Sequence, residues 1–198
     1  MPYTEDFRSA EERSRRLGLA VPAYAFESER RWLDATAHAQ FPYIVRGGLG
    51  ELDFSDVVGQ CLAIHYRLLP VIQEWLGCPV LYTNGWVDDG TENGMFRFDE
   101  MFIEDRLRTY RTGGLVNIHA WLTLPSMEII DVSLATSMAV LQGLPSGHGG
   151  VIAMHGDQTR GFSYKPMLVG LDFLHKTGMA GSRDDGRAAC SYVLAGRK

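Results

Sequence analysis

A strict two-residue alternation through residues 116–124 constrains this chain more than any other feature. Val116, Ile118, Ala120, Leu122 and Leu124 fall on one side, and Asn117, His119, Trp121 and Thr123 on the other. That is the period of a pleated strand with one face turned to a core. A Pro125-Ser126 turn follows, then a second strand-like run, Glu128-Ile129-Ile130-Asp131-Val132, so the two read as a hairpin. Residues facing each other across antiparallel strands keep a constant index sum, and side chains change face at every step. A register centred on Pro125 or Ser126 therefore puts His119 and Asp131 on the same face, whereas a half-step register separates them. The alternation predicts that this second face is the polar one, with an accessible His119 beside a wall made by Trp121.

Upstream, Leu62, Tyr66, Leu69, Ile72 and Leu76 recur at intervals of four or three, the stripe of an amphipathic helix. Gly59-Gln60-Cys61 stands where that pattern begins. Pro70 lies inside it and predicts a kink or two shorter pieces, because proline removes a backbone donor and crowds the carbonyl four residues earlier. A thiol at a helix start is placed for nucleophilic chemistry, since the positive end of the macrodipole and a neighbouring imidazolium both favour the thiolate. A histidine in reach stabilises that thiolate and later protonates a leaving group. A carboxylate on its far nitrogen sets tautomer and orientation. Cys61, His119 and Asp131 are therefore the candidate nucleophile, base and orienter.

The same residues carry a family resemblance. Gly59-Gln60-Cys61 leads through Glu74-Trp75-Leu76-Gly77 into Cys78-Pro79-Val80-Leu81-Tyr82-Thr83-Asn84-Gly85-Trp86-Val87, followed later by His119-Ala120-Trp121 and Ile130-Asp131-Val132-Ser133. This order resembles the transglutaminase-like superfamily of papain-like cysteine enzymes, with His-Ala-Trp its most specific element, over roughly residues 55–135. The resemblance implies an α+β fold, papain-like, with a central cysteine-bearing helix packed on an antiparallel sheet. It also implies a Cys61-His119-Asp131 triad that attacks an amide or peptide carbonyl through a thioester. Protease, amidase or transglutaminase activity would follow, on a protein, peptide or small amide substrate and without a cofactor. The Cys61 amide with Gln60 or Asn117 would steady the oxyanion, and Trp121 and Trp86 are candidate cleft walls, with buried packing the favoured role for each.

The rest of the chain sets wider bounds. At 198 residues and 45% hydrophobic content, it suits one domain over residues 1–198, with an N-terminal helical extension over 1–40. Helices are predicted over Ser9–Leu17, ended by Gly18, and over Ser28–Ala39, with Arg46–Gly50 a loop. Strands are predicted over Val80–Val87, Val116–Leu124, Glu128–Leu134, Gly150–His155, Met167–Val169 and Ala189–Ala195, with Ser133–Leu141 alternatively a short helix. A net charge of −5 without a basic run argues against a nucleic-acid partner. The acidic start and the lack of about 18 consecutive apolar residues argue against a signal peptide and a membrane span, so the expectation is a cytoplasmic protein.

Three widely spaced cysteines do not form a disulfide framework, and Cys78 and Cys190 read as structural. The glycine-rich stretches Arg46–Gly50 and Ser146–Gly150 lack the lysine and strand-to-helix context of nucleotide loops. Three competing readings stay open. One is a metal site from Cys61, His65, His119 and Asp131. Another is a catalytically silent scaffold that holds a protein partner through the acidic, aromatic stretch Asp88–Tyr110. The third is an acyl-CoA-dependent N-acyltransferase of the arylamine acetyltransferase type.

Overall fold

The computed structural model describes residues 1–111, 116–144, 146 and 148–180. Its elements run α1 (Tyr3–Arg16), α2 (Ala35–Leu49), α3 (Phe54–Val57), α4 (Cys61–Leu76), β1 (Leu81–Asp88), α5 (Glu100–Arg108), β2 (His119–Thr123), β3 (Glu128–Asp131), α6 (Leu134–Gln142), β4 (Ile152–His155), β5 (Ser163–Val169) and α7 (Asp172–Thr177). The five strands form one antiparallel sheet in the order β4-β3-β2-β1-β5, so the architecture is mixed α+β.

The hairpin forms as the alternation requires. Leu122 pairs with Ile130 and Thr123 with Ile129, a register centred on Ser126 that leaves His119 and Asp131 on one face as diagonal neighbours. Its turn closes with Met127 in the left-handed region at φ 63° and its N–H donated to Leu124 O at 2.9 Å.

One prediction about the faces needs correction, because both sides of the sheet are buried. On one side, Ile118, Ala120, Leu122, Tyr82 and Leu168 meet Cys61, Leu62, Ile64, Leu68 and Ile72 of α4. On the other, α1 lays Tyr3, Phe7 and Ala10 over Leu81, Trp121, Ile129 and Val169. The 4-3 spacing of those α1 residues makes an apolar stripe that has to find cover, and the face carrying His119 supplies it. Acidic residues in the first turn of α1 and three arginines in its last also match the helix dipole.

Other departures have local causes. Pro70 does not split α4; it is exposed on a continuous helix, where water can take the carbonyl it leaves unpaired. The second helix starts at Ala35 because Asp34 caps it, accepting from Ala37 N at 2.8 Å. It continues through Arg46-Gly47-Gly48 instead of looping, since Gly48 allows close approach to α4: a Cβ there would sit 2.7 Å from a Val71 methyl. Within the acidic, aromatic stretch Asp88–Tyr110, for which no element was predicted after Val87, Asp99 caps α5 by accepting from Phe102 N at 2.9 Å, and Ile103 anchors that helix in the core.

Residues 134–142 are helical, the alternative reading. Strand β5 is longer than predicted because it includes Pro166, which an edge strand tolerates beside a register shift. The strand expected at Ala189–Ala195, with Cys190, lies outside the described residues. Among the described residues no helix is long and apolar enough to cross a membrane.

Candidate active site

The first residue of α4 and the first residue of β2 meet at one end of the sheet. Gln60 is the N-cap of α4 and makes no side-chain cap bond, so Cys61 opens the helix with no side chain of the N-cap competing for the first-turn amides. The Cys61 thiol donates to Ile118 O at 3.6 Å. Ile118 directly precedes His119, and this bond therefore ties the nucleophile candidate to the strand that carries the base.

His119 Nε2 lies 2.5 Å from Asp131 Oδ2. Its other nitrogen, Nδ1, is buried and makes no hydrogen bond of good geometry, yet the Cys61 sulfur is close enough to the imidazole to raise its basicity. Thiol, imidazole and carboxylate, distant in the chain, form one cluster.

Asp131 has several donors and a defined place. Oδ2 also accepts from Tyr164 Oη at 2.8 Å. Oδ1 accepts from Ser133 N at 2.8 Å, Ser133 Oγ at 3.0 Å and Leu134 N at 3.0 Å, which secures the start of α6. Burial alone pushes a carboxyl up, but the His119 charge and hydrogen bond, with help from His65 and Ser133, hold Asp131 well below the usual carboxylate range. For His119, burial opposes protonation, and the charge of Asp131 with its hydrogen bond overcomes that cost and raises the imidazole from 6.5 to about 10. Tyr164 is raised well above 10 by burial and by Asp131, so it stays a donor.

His65 is a second buried imidazole with the opposite setting. Nδ1 lies 2.8 Å from Cys61 O, and Nε2 accepts from Val132 N at 3.2 Å. The neutral tautomer with its proton on Nδ1 satisfies both contacts. Burial drives its pKa down from 6.5 to about 4 despite the nearby Asp131. The two histidines therefore give opposite pH dependences. The stability that His65 contributes is complete above its unfolded value of 6.5 and is lost as pH falls toward 4. That of His119 is complete below 6.5 and is lost as pH rises through 10. Urea midpoints are expected to peak near neutral pH, and His65→Gln should flatten the fall between pH 6.5 and 4. An acid limb of unchanged steepness in that variant would contradict this assignment.

Four further candidates come out differently. Gln60 is half-buried at the N-cap, beside the thiol in sequence. The Asn117 side chain is exposed and its amide donates to Arg97 O at 2.8 Å. Trp121 takes the packing role and does not wall a cleft: it is fully buried, its Nε1 donates to Tyr3 Oη at 2.7 Å, and its ring packs beside His119 with centroids 5.8 Å apart. Trp86 packs against the α1-side cluster with the Arg97 guanidinium 4.8 Å over its ring. Nor is His119 accessible, at 1% exposure, with Cys61 at 3%.

Sequence reasoning missed Tyr164 and Phe96. The Phe96 ring stacks on His119 at 5.0 Å and 22°. Pro166 hid the strand that delivers Tyr164, although the alternation of Tyr164 with buried Leu168 was a usable signal. A cavity of about 570 Å³ lies elsewhere, bordered by Leu69, Gln73, Cys78, Tyr82 and Leu171. Burial pushes the Cys78 thiol there up to about 11, which makes it a poor nucleophile at neutral pH. Among the described residues no group of three or more His, Cys, Asp or Glu is arranged to hold a metal ion. No family model, curated protein or solved structure matches the chain.

Proposed function

We propose that this protein is a thiol-dependent acyl-transfer enzyme of the transglutaminase-like group, with Cys61 as nucleophile, His119 as acid and base, and Asp131 as orienter. The observation that carries the reading is the His119 imidazole, held by a multiply hydrogen-bonded buried carboxylate on one nitrogen while a helix-initial thiol approaches the ring. The resemblance of the Cys61, His119 and Asp131 segments to that superfamily supports it.

The steps follow from where the protons sit. The Cys61 thiolate attacks the carbonyl carbon of an amide, and helix-start N–H groups of α4, with Gln60, steady the oxyanion. As the tetrahedral adduct collapses, the C–N bond breaks and imidazolium His119 gives its proton to the departing amine. A thioester remains. Neutral His119 then takes a proton from water, the hydroxyl adds, and the acid leaves with the thiolate and imidazolium restored. A second amine in place of water gives transamidation. Hydrolysis is the preferred outcome because nothing among the described residues identifies an amine pocket, and the substrate is a protein, peptide or small amide.

The test is the pH dependence of Cys61 alkylation by iodoacetamide, followed by peptide mapping, together with intact-mass detection of a hydroxylamine-labile adduct from an activated acyl ester. Half-maximal labelling of Cys61 is expected below pH 7, against about 8.5 for an unactivated thiol, and Cys61→Ala should form no thioester. Half-maximal labelling above pH 8, with no acyl adduct, would overturn the reading. The burial of both Cys61 and His119 favours a second one, a catalytically silent scaffold that holds a protein partner. Cys61→Ala with undiminished biological activity would support that alternative.

A further inference from the structure

The thiol and the imidazole are closed off from solvent, and one element of the cover is exceptional in its backbone. Phe96 adopts φ 61°, a left-handed conformation that a bulky residue rarely takes. Such conformations persist when flanking structure over-determines them, and they cluster at sites where strain has a use. Here the flanks are firmly held. Before Phe96, Met95 exchanges two backbone hydrogen bonds with Val87, at 2.7 and 2.9 Å. After it, the Arg97 carbonyl accepts from the Asn117 amide at 2.8 Å, its guanidinium lies over Trp86 at 4.8 Å, and Phe98 packs on Phe102 at 5.5 Å. Residues 95–98 thus form a strap across the end of β1 with the strained residue at its centre. The Phe96 ring lies on the imidazole, 7% exposed.

An acyl donor attacked by Cys61 has to bring its carbonyl group beside this same imidazole, which must protonate the leaving amine. The Phe96 ring, stacked on one face of that imidazole and itself nearly buried, is part of what a donor has to pass or displace. We propose that Phe96 is the specificity-determining residue of the site: a displaceable cover over His119, whose place is taken by the substrate's own flat apolar group. The strained backbone lowers the cost of moving the ring away, while loss of the stack raises it. Donors that replace the stack are admitted preferentially, so the substrate class is an amide with an aromatic or similarly flat apolar side chain next to the scissile carbonyl. This rests on the acyl-transfer reading above.

Phe96→Gly removes the ring and suits the left-handed backbone, and Phe96→Tyr keeps the ring. Cys61 in the full-length glycine variant is expected to react with iodoacetamide at least about tenfold faster than in wild type, with Cys78 unchanged as internal control. The tyrosine variant should stay within about twofold of wild type. In the glycine variant, millimolar N-acetylphenylalaninamide should protect Cys61, and N-acetylglycinamide should not. An unchanged rate in Phe96→Gly, or equal protection by both amides, overturns the proposal. Failure of the acyl-transfer reading has a separate signature: labelling shifts to the pH range of an ordinary thiol in wild type and variant alike, while their rate ratio persists.

Discussion

Asp131→Asn is expected to slow alkylation of Cys61 at pH 6.5 by about 100-fold and to destabilise the fold by about 3 kcal/mol. Both effects come from the same oxygen. A carboxylate at this position accepts from His119 Nε2 and from Tyr164 Oη through Oδ2. An amide can still accept from Ser133 N and Leu134 N on the other oxygen, which keeps α6 anchored. Its NH₂ group, however, faces two former donors. The imidazole can meet it only as the tautomer with a bare Nε2 and a proton on Nδ1, so the thiol loses its base and the imidazolium loses its counter-charge. A thiol without that partner titrates near 8.5, where about 1% is ionised at pH 6.5.

The stability cost corresponds to breaking a buried ion pair from one side, about 3–5 kcal/mol, and here the retained helix contacts place it at the low end. Alkylation against pH and urea unfolding would read the two effects separately. A variant with wild-type reactivity at pH 6.5 would show that His119 does not activate Cys61.

Gly85→Ala is expected to cost about 3 kcal/mol, lowering Tm by roughly 6–12 °C, and to weaken the site without touching a reacting group. Gly85 pairs with His119 across β1 and β2. A Cβ added there would collide with the Lys165 carbonyl oxygen and come within 2.5 Å of the Trp121 ring. Neither neighbour can yield cheaply. Lys165 is backbone of the paired β5, and the buried Trp121 indole is fixed by its bond to Tyr3 Oη, which in turn lies 2.7 Å from Thr123 Oγ1. Strain relieved by shifting Trp121 would displace the ring packed beside His119. Differential scanning calorimetry would measure the loss, and a Tm within 2 °C of wild type would mean that the sheet opens at this point more easily than close packing allows.

Much of the site was legible because the relevant physics is local. Alternation along residues 116–124 and the even separation of His119 from Asp131 put both side chains on one face for any register centred on a residue, and the register centred on Ser126 is one of these. The helical stripe after Gly59-Gln60 placed Cys61 at a helix start, where α4 begins. Long-range partners were not legible in this way. Tyr164 reaches Asp131 from 33 positions away, along an edge strand that its own proline disguised. His65 read from sequence as a possible metal ligand, whereas its ring is held between Cys61 O and Val132 N, two groups that only the fold brings together.

The face of the sheet was the clearest misreading. Polar identity at Asn117, His119 and Thr123 suggested solvent, but α1, more than a hundred residues earlier in the chain, covers that side with Tyr3, Phe7 and Ala10. Thr83 and Thr123 are accommodated there by hydrogen bonding to each other at 2.8 Å and, through Thr123, to Tyr3. A polar residue on a strand therefore did not signal exposure, because a buried hydroxyl or imidazole is tolerated once its partners are present.

By itself the sequence determined the periodicities: which residues of one strand share a face, where the cysteine helix starts, and that a hairpin register centred on a residue would bring His119 and Asp131 to one face. Those follow from backbone geometry repeated every two or 3.6 residues and need no knowledge of what lies opposite. Only the tertiary structure decided that the imidazole is buried and basic, that its neighbour His65 is neutral, and that a strained Phe96 lies over the site. Burial, charge proximity and stacking are set by groups brought together from distant parts of the chain, and no local pattern carries that information.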